Sequence, residues 1–198
     1  MPAMSRESFK ASRLFAFLSL ATTVALLLCT VSPAFASGTH KANVTLLKNR
    51  EYPDALLKNI REARKSLLLA YYLFKTTPAS ILNQPGRIAE ELAKARHRGV
   101  AVTVILEVSD DPDDPLNLEN RKTGAFLAEK GIKVLFDSPR TKTHLKVALI
   151  DDRYVLLGSH NLTQSALKYN NEVSVLLDSP EMAAEMKTYL NRLGAGLP

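Results

Sequence analysis

Residues 37–198 of this 198-residue chain predict an α/β fold, a mixed β-sheet sandwiched between helices on both faces. Three observations carry that reading. Apolar runs of strand length alternate with segments whose apolar residues recur every three to four positions. Two of the helical segments stop at a glycine, Gly99 and Gly131, in the manner of a helix C-cap. The runs 66–74 and 100–107 are almost wholly apolar, as strands covered on both faces are.

The elements follow in order. Asn43 to Leu47 reads as a short strand. Pro53 to Lys65 reads as a helix, with proline in its first turn and Leu56, Ile60 and Ala63 on one face. Ser66 to Phe74 is a buried strand containing Tyr71 and Tyr72, and Thr76 to Gly86, with Pro78, Pro85 and Gly86, is loop. Arg87 to Arg98 is a helix turning Ile88, Leu92 and Ala95 inward, and Val100 to Glu107 is a second buried strand. After a sharp acidic loop, Ser109 to Pro115, come a helix over Asn120 to Lys130 and a strand over Ile132 to Phe136. His144 to Ile150 alternates in character, and Tyr154 to Leu157 is a strand after an Asp151-Asp152 turn. Thr163 to Lys168 is a brief helix, Glu172 to Leu177 a strand, and Pro180 to Leu193 a closing helix.

The first 36 residues have a different character. Arg6, Lys10 and Arg13 precede an apolar run from Leu14 to Val31, and Ala34-Phe35-Ala36 supplies small residues at a cleavage spacing. That order is expected of a secretory signal cut after Ala36, which would export the chain to a periplasmic or extracellular space. A retained signal anchor is the alternative, because the run nearly reaches the length of a bilayer span. The single cysteine, Cys29, lies in the run, so residues 37–198 contain no thiol for a disulfide or a metal. Formal charge is +6 for the whole chain. Without residues 1–36 it is +4, 23 basic against 19 acidic residues, a mild surplus that suits an anionic partner.

Chemistry concentrates late in the chain. His144-x-Lys146 is followed after four residues by Asp151, then after six by Gly158-Ser159-His160-Asn161, with Glu172 eleven residues beyond Asn161. Residues two apart on a strand share a face, so His144 and Lys146 are expected to enter one pocket. An imidazole, an ammonium and clustered N–H and O–H donors are what attack on a phosphodiester requires. Neutral imidazole is a competent nucleophile near neutral pH, and its protonated form is a competent acid for an alkoxide leaving group. The reaction therefore wants two histidines in opposite protonation states, and this pattern supplies one.

The run H-x-K-x4-D-x6-G-S-x-N resembles the phospholipase D superfamily motif at every fixed position, His144, Lys146, Asp151, Gly158, Ser159 and Asn161. Upstream, "LLKNIREARKSLLLAYYLF", "AEELAKARHRGVAVTVILE" and "LAEKGIKVLFDS" are similar to the small single-motif members, especially the secreted bacterial endonuclease type. The resemblance implies a phospholipase D-like phosphodiesterase domain over residues 37–198. It implies His144 as the nucleophile that becomes a phosphohistidine, and Lys146 and Asn161 as holders of the non-bridging oxygens with Ser159 in support. Glu172 would accept a hydrogen bond from the far ring nitrogen of His144. Asp151 would organise the site from behind, and Gly158 would let the backbone approach the phosphate. His160 falls at a position the superfamily leaves variable.

One motif per chain implies a homodimer whose two copies of His144 meet across a two-fold axis. That scheme needs no metal cofactor, since paired lysines and asparagines carry the charge. Asp110-Asp111-Pro112-Asp113-Asp114 with Glu107 reads as a solvated acidic loop, with a calcium site as the alternative. Three functions remain open. Nucleic acid as substrate is favoured by the basic stretch Arg140-Thr141-Lys142 before His144. Phospholipid as substrate would want an apolar rim, for which Ile81-Leu82 is a thin candidate in a chain without tryptophan. A nucleic-acid-binding module without catalysis is the third, and the complete motif argues against it.

Overall fold

The computed structural model describes residues 38–76, 83–111 and 113–196. The leader, Cys29 and the Ile81-Leu82 rim lie outside these residues. Seven strands form one mixed sheet: β1 (Asn43–Lys48), β2 (Ser66–Tyr71), β3 (Ala101–Leu106), β4 (Lys133–Phe136), β5 (Lys146–Ile150), β6 (Tyr154–Gly158) and β7 (Val173–Asp178). Their spatial order is β1-β7-β6-β5-β2-β3-β4. β2, β3 and β4 run parallel; every other pairing is antiparallel.

Five helices complete the described fold: α1 (Glu51–Glu62), α2 (Gln84–His97), α3 (Pro115–Glu129), α4 (Gln164–Lys168) and α5 (Pro180–Gly194). Three begin earlier than their apolar periodicity indicates, and polar caps set the start of two of them, α2 and α3. Asn83 accepts the Gly86 N–H at 2.8 Å and opens α2. Asp114 accepts the Leu116 N–H at 2.9 Å and opens α3 at Pro115. α1 starts at Glu51, whose carboxylate accepts the Lys48 N–H at 2.9 Å.

The expected layering is present but unequal. One sheet face packs Tyr52, Leu56, Leu57 and Ile60 of α1 with Ile88 and Leu92 of α2, Leu127 of α3 and Leu167 of α4. Among the described helices only α5 covers the other face, through Ala183 and Leu190 with Met182, Met186 and Leu193 at the margin. Val44, Leu46 and Val173, on β1 and β7, stay exposed.

The antiparallel order around β5 decides where the chemistry goes. β5 starts at the sheet end where β2, β3 and β6 finish and where β7 begins. β5 finishes at the opposite end, in a three-residue hairpin turn, Asp151 to Arg153. Asp151 and Asp152 there have φ of 53° and 56°, and the Arg153 N–H reaches the Ile150 carbonyl at 3.1 Å. Aspartate tolerates this left-handed geometry better than most residues, which accounts for the Asp-Asp pair.

Candidate active site

The site is assembled at the start of β5 by segments that overrun their strands. β5 begins at Lys146, so His144 precedes the strand and is not part of it, contrary to the alternation. The Tyr72 N–H donates to the Leu145 carbonyl at 2.8 Å and fixes this entry to the end of β2. Beyond β6 the chain crosses to the same place. Leu162 pairs with Phe74, its N–H reaching Leu73 at 3.0 Å and its carbonyl accepting the Lys75 N–H at 3.0 Å. Ser159, His160 and Asn161 therefore lie on a short span between β6 and the extension of β2, the two strand neighbours of β5.

His144 and Lys146 meet on a shared platform, Tyr72. The rings of His144 and Tyr72 have centroids 4.5 Å apart, tilted by 57°. Lys146 Nζ lies 4.9 Å from the Tyr72 centroid and donates to the His144 carbonyl at 3.0 Å. His144 is exposed, and its ring makes no hydrogen bond among the described residues. Lys146 is only 6 % exposed. Partial desolvation, then the charges of Lys146 and Lys142, hold the His144 imidazole below its ordinary range and favour the neutral form. Desolvation also lowers Lys146, against the opposing pull of Glu172. Tyr72 was read only as a strand residue. Its signal was the Tyr71-Tyr72 tandem at a strand end, where alternation sends Tyr71 into the core and Tyr72 to the other side.

The remaining motif residues divide sharply. Ser159 Oγ donates to the Glu172 carboxylate and accepts the Val173 N–H at 3.1 Å. Glu172 also accepts from Asn170 at 3.1 Å. The expected bond from His144 to Glu172 is absent among the described residues. Glu172 heads β7, two strands away from β5 in the sheet, so it acts on Lys146 by charge and on Ser159 by contact. Asn161 carries a buried side-chain oxygen without a partner among the described residues.

Asp151, expected to organise the site from behind, lies at the other end of β5 from His144. It sits past the far end of β5, a five-residue strand from Lys146. Its carboxylate accepts the N–H groups of Arg64, Lys65 and Ser66 at 2.9, 2.7 and 3.0 Å. It joins the end of α1 and the start of β2 to the β5–β6 hairpin. Gly158 also has a different reason for being glycine. A Cβ there would come within 2.2 Å of Ser174 Oγ and 2.5 Å of Ser174 Cα, so its role is close packing of β6 on β7.

His160 is fully buried and stacks on Tyr52 at 4.3 Å. Its Nε2 faces the Asn49 carbonyl at 2.9 Å, which can only accept, so Nε2 carries the proton and Nδ1 accepts from Ser174 Oγ at 2.7 Å. Burial lowers its pKa, and this neutral, doubly bonded ring is a structural histidine. His40 pairs with Glu185 of α5. In the acidic loop, Asp114 caps α3 and accepts from Ser109 Oγ at 3.0 Å, and Asp111 accepts the Asp113 N–H at 2.9 Å.

The sheet order and the pairing of His144 with Lys146 on Tyr72 define a phospholipase D-like α/β domain. The chain belongs to the family described as cardiolipin synthase, phospholipase D-like domain, whose profile matches residues 56–194. It is 30 % identical over 149 residues to cardiolipin synthase B of Escherichia coli strain K12, covering 72 % of this chain and 33 % of that protein. The chain thus spans about a third of the length of the curated relatives it matches first. In fold it is similar to the phospholipase D family member Nuc from Salmonella typhimurium, with TM-score 0.63 and 23 % identity over 77 % of this chain and 94 % of that one. NucT from Helicobacter pylori is similar at TM-score 0.59 and 23 % identity, over 77 % of this chain and 96 % of that one.

Proposed function

We propose that the chain is an exported, metal-independent phosphodiesterase that works through a phosphohistidine at His144, as a homodimer, on nucleic acid. The observation that carries this reading is the state of His144: exposed, free of hydrogen bonds among the described residues, held toward neutrality and backed by a buried lysine. An imidazole with both nitrogens free can form a P–N bond as the P–O bond to the leaving group breaks. Lys146 and the Nδ2 amide group of Asn161 would stabilise the charge that builds on the non-bridging oxygens by donating to them. Glu172 would keep Ser159 oriented for the same purpose.

The departing alkoxide needs a proton. His160 cannot provide it, since both ring nitrogens are engaged in the core. The second copy of His144 in a two-fold dimer would donate that proton as an imidazolium. It would then take a proton from the water that breaks the P–N bond, which returns both rings to their starting states. Nucleic acid is supported by the loop before His144, since Lys142 lies close enough for its charge to act on that imidazole.

A second reading, head-group hydrolysis or transfer on a phospholipid, is supported by the 30 % identity to cardiolipin synthase B. One panel separates the two: plasmid DNA, single-stranded DNA, RNA and phospholipid vesicles, each with and without EDTA. Cleavage of nucleic acid that survives EDTA is the expected result. Head-group release alone would replace it with the lipid reading, and binding without turnover would overturn both. Sedimentation tests the dimer, and N-terminal sequencing of exported material tests cleavage after Ala36.

A further inference from the structure

Behind His144 lies a buried acid pair that the phosphoryl chemistry does not use. Glu107 follows β3 and is 1 % exposed; Asp137 follows β4 and is 5 % exposed. Glu107 Oε2 accepts the Thr143 N–H at 2.5 Å. Asp137 Oδ1 accepts the Val108 N–H at 3.0 Å, while Asp137 Oδ2 is buried without a partner among the described residues. A buried carboxylate oxygen with no donor is costly, and two adjoining buried carboxylates resist being ionised together. One proton resolves both problems. Glu107, as the acid, donates to Asp137 Oδ2 and keeps its other oxygen for Thr143.

We propose that Glu107 and Asp137 share this proton, and that it clamps the segment carrying His144 in its working position. Residues 138–143 leave the sheet at Asp137 and return at Thr143. The Asp137 N–H is held by the Leu106 carbonyl at 3.2 Å, and within the segment the Thr141 N–H reaches the Ser138 carbonyl at 3.3 Å. The link from Asp137 through Glu107 to Thr143 closes the two ends of the segment on each other. His144 then sits between two anchors, Glu107 on the Thr143 N–H and Tyr72 on the Leu145 carbonyl. Both residues are positioning residues: neither touches the reacting atoms, and they act through the backbone of Thr143.

The charges around the pair fix its response to pH. Burial is the largest influence on Glu107, and Asp137 adds to it; the Thr143 N–H and Lys142 oppose them. From α3, the neighbours Asn117, Asn120 and Thr123 are buried but uncharged, and Asn120 Nδ2 donates to the Glu107 carbonyl at 2.9 Å. The balance pushes the Glu107 carboxyl up to about 7 from its ordinary 4.5. For an acid raised in the fold, the stabilisation is full below 4.5 and is lost as pH climbs through about 7. Above that value the shared proton is gone and two facing carboxylates repel, so the link between Glu107 and Asp137 is lost. The clamp is therefore closed in mildly acidic medium and open in alkaline medium.

The test uses the full chain and the variant Glu107→Gln. Glutamine donates to Asp137 Oδ2 and accepts from Thr143 with no proton to lose. In the wild type, carbon-13 carboxyl NMR should show the pair releasing one proton near pH 7. Thr143 amide exchange, corrected for its intrinsic rate, should accelerate by about tenfold or more from about pH 6 to about pH 8. In Glu107→Gln the corrected exchange should stay flat, and the alkaline limb of kcat/KM should move up by about one pH unit or more. If that variant does not fold, Asp137→Asn supplies the same proton-independent link, with its amide donating to the Glu107 carboxylate. Titration of Glu107 below about pH 5, or an unchanged pH dependence of Thr143 exchange in a folded variant, would overturn the clamp. The NMR and exchange readouts need no substrate, so failure of the phosphodiesterase reading and failure of the clamp are told apart.

Discussion

The two ends of β5 make an instructive pair, because one motif supplies both. At the entry, polar groups are left without partners: the His144 ring is free and an Asn161 oxygen is buried and unbonded. At the exit, Asp151 has three backbone N–H groups on its carboxylate. An exposed ring with no hydrogen bond is free to react, whereas a saturated carboxylate is a structural fitting. A spacing pattern treats His144 and Asp151 alike; hydrogen bonding separates them. His144 and His160 repeat the contrast, one ring open to solvent and the other closed by two bonds and a stacked tyrosine.

The sharpest way to break this comparison is His144→Ala. Turnover should fall by at least ~10³-fold with the thermal midpoint nearly unchanged, since the ring holds nothing in place. Appreciable residual turnover would mean that another residue attacks. Lys146→Met comes next. Removing the buried ammonium should lower kcat/KM by roughly 10²-fold and move the acid limb of the pH profile upward. Wild-type His144 should stay neutral somewhat below its ordinary 6.5, so the wild-type acid limb should fall below that value. A limb that does not move in the variant would show that Lys146 does not act on this imidazole.

Asp151→Ala sharpens the other side. It should cost about 1–3 kcal/mol in a denaturant titration, through three stranded N–H groups. The rate per folded molecule should stay near wild type; a large fall in that rate would place Asp151 in the chemistry after all. The smallest effect is its pH signature. Three backbone N–H groups, then the charge of Lys65, hold this carboxyl below 3.8 despite burial. The stability it gives is thus complete above 3.8 and is lost as pH falls through the lowered value. Acid melts of wild type and Asp151→Ala should converge in that range.

Much of the fold was readable because its signals are local. Strand runs, helix periodicity and the closing glycines each act over a few residues, and all seven strands and five helices of the described fold lie where these signals place them. Boundaries shifted where a side chain outside the apolar pattern decided them, as Asp114 does for α3. The reactive pair His144 and Lys146 was legible from spacing, although Tyr72 joins them and a common strand face does not. Gly158 was legible as a required glycine but for the wrong neighbour, since Ser174 is its partner only through strand register.

By itself the sequence determined the α/β class, the cluster of candidate site residues and the family. Those follow from periodicity and from residue order, which any stretch of chain carries with it. Only the tertiary structure decided which motif residues face the cleft and which brace the sheet, that His160 is core, and that Glu107 holds Thr143 beside Asp137. Such facts depend on contacts between residues 14 to 111 positions apart. Sheet order creates those contacts, and no local pattern encodes it.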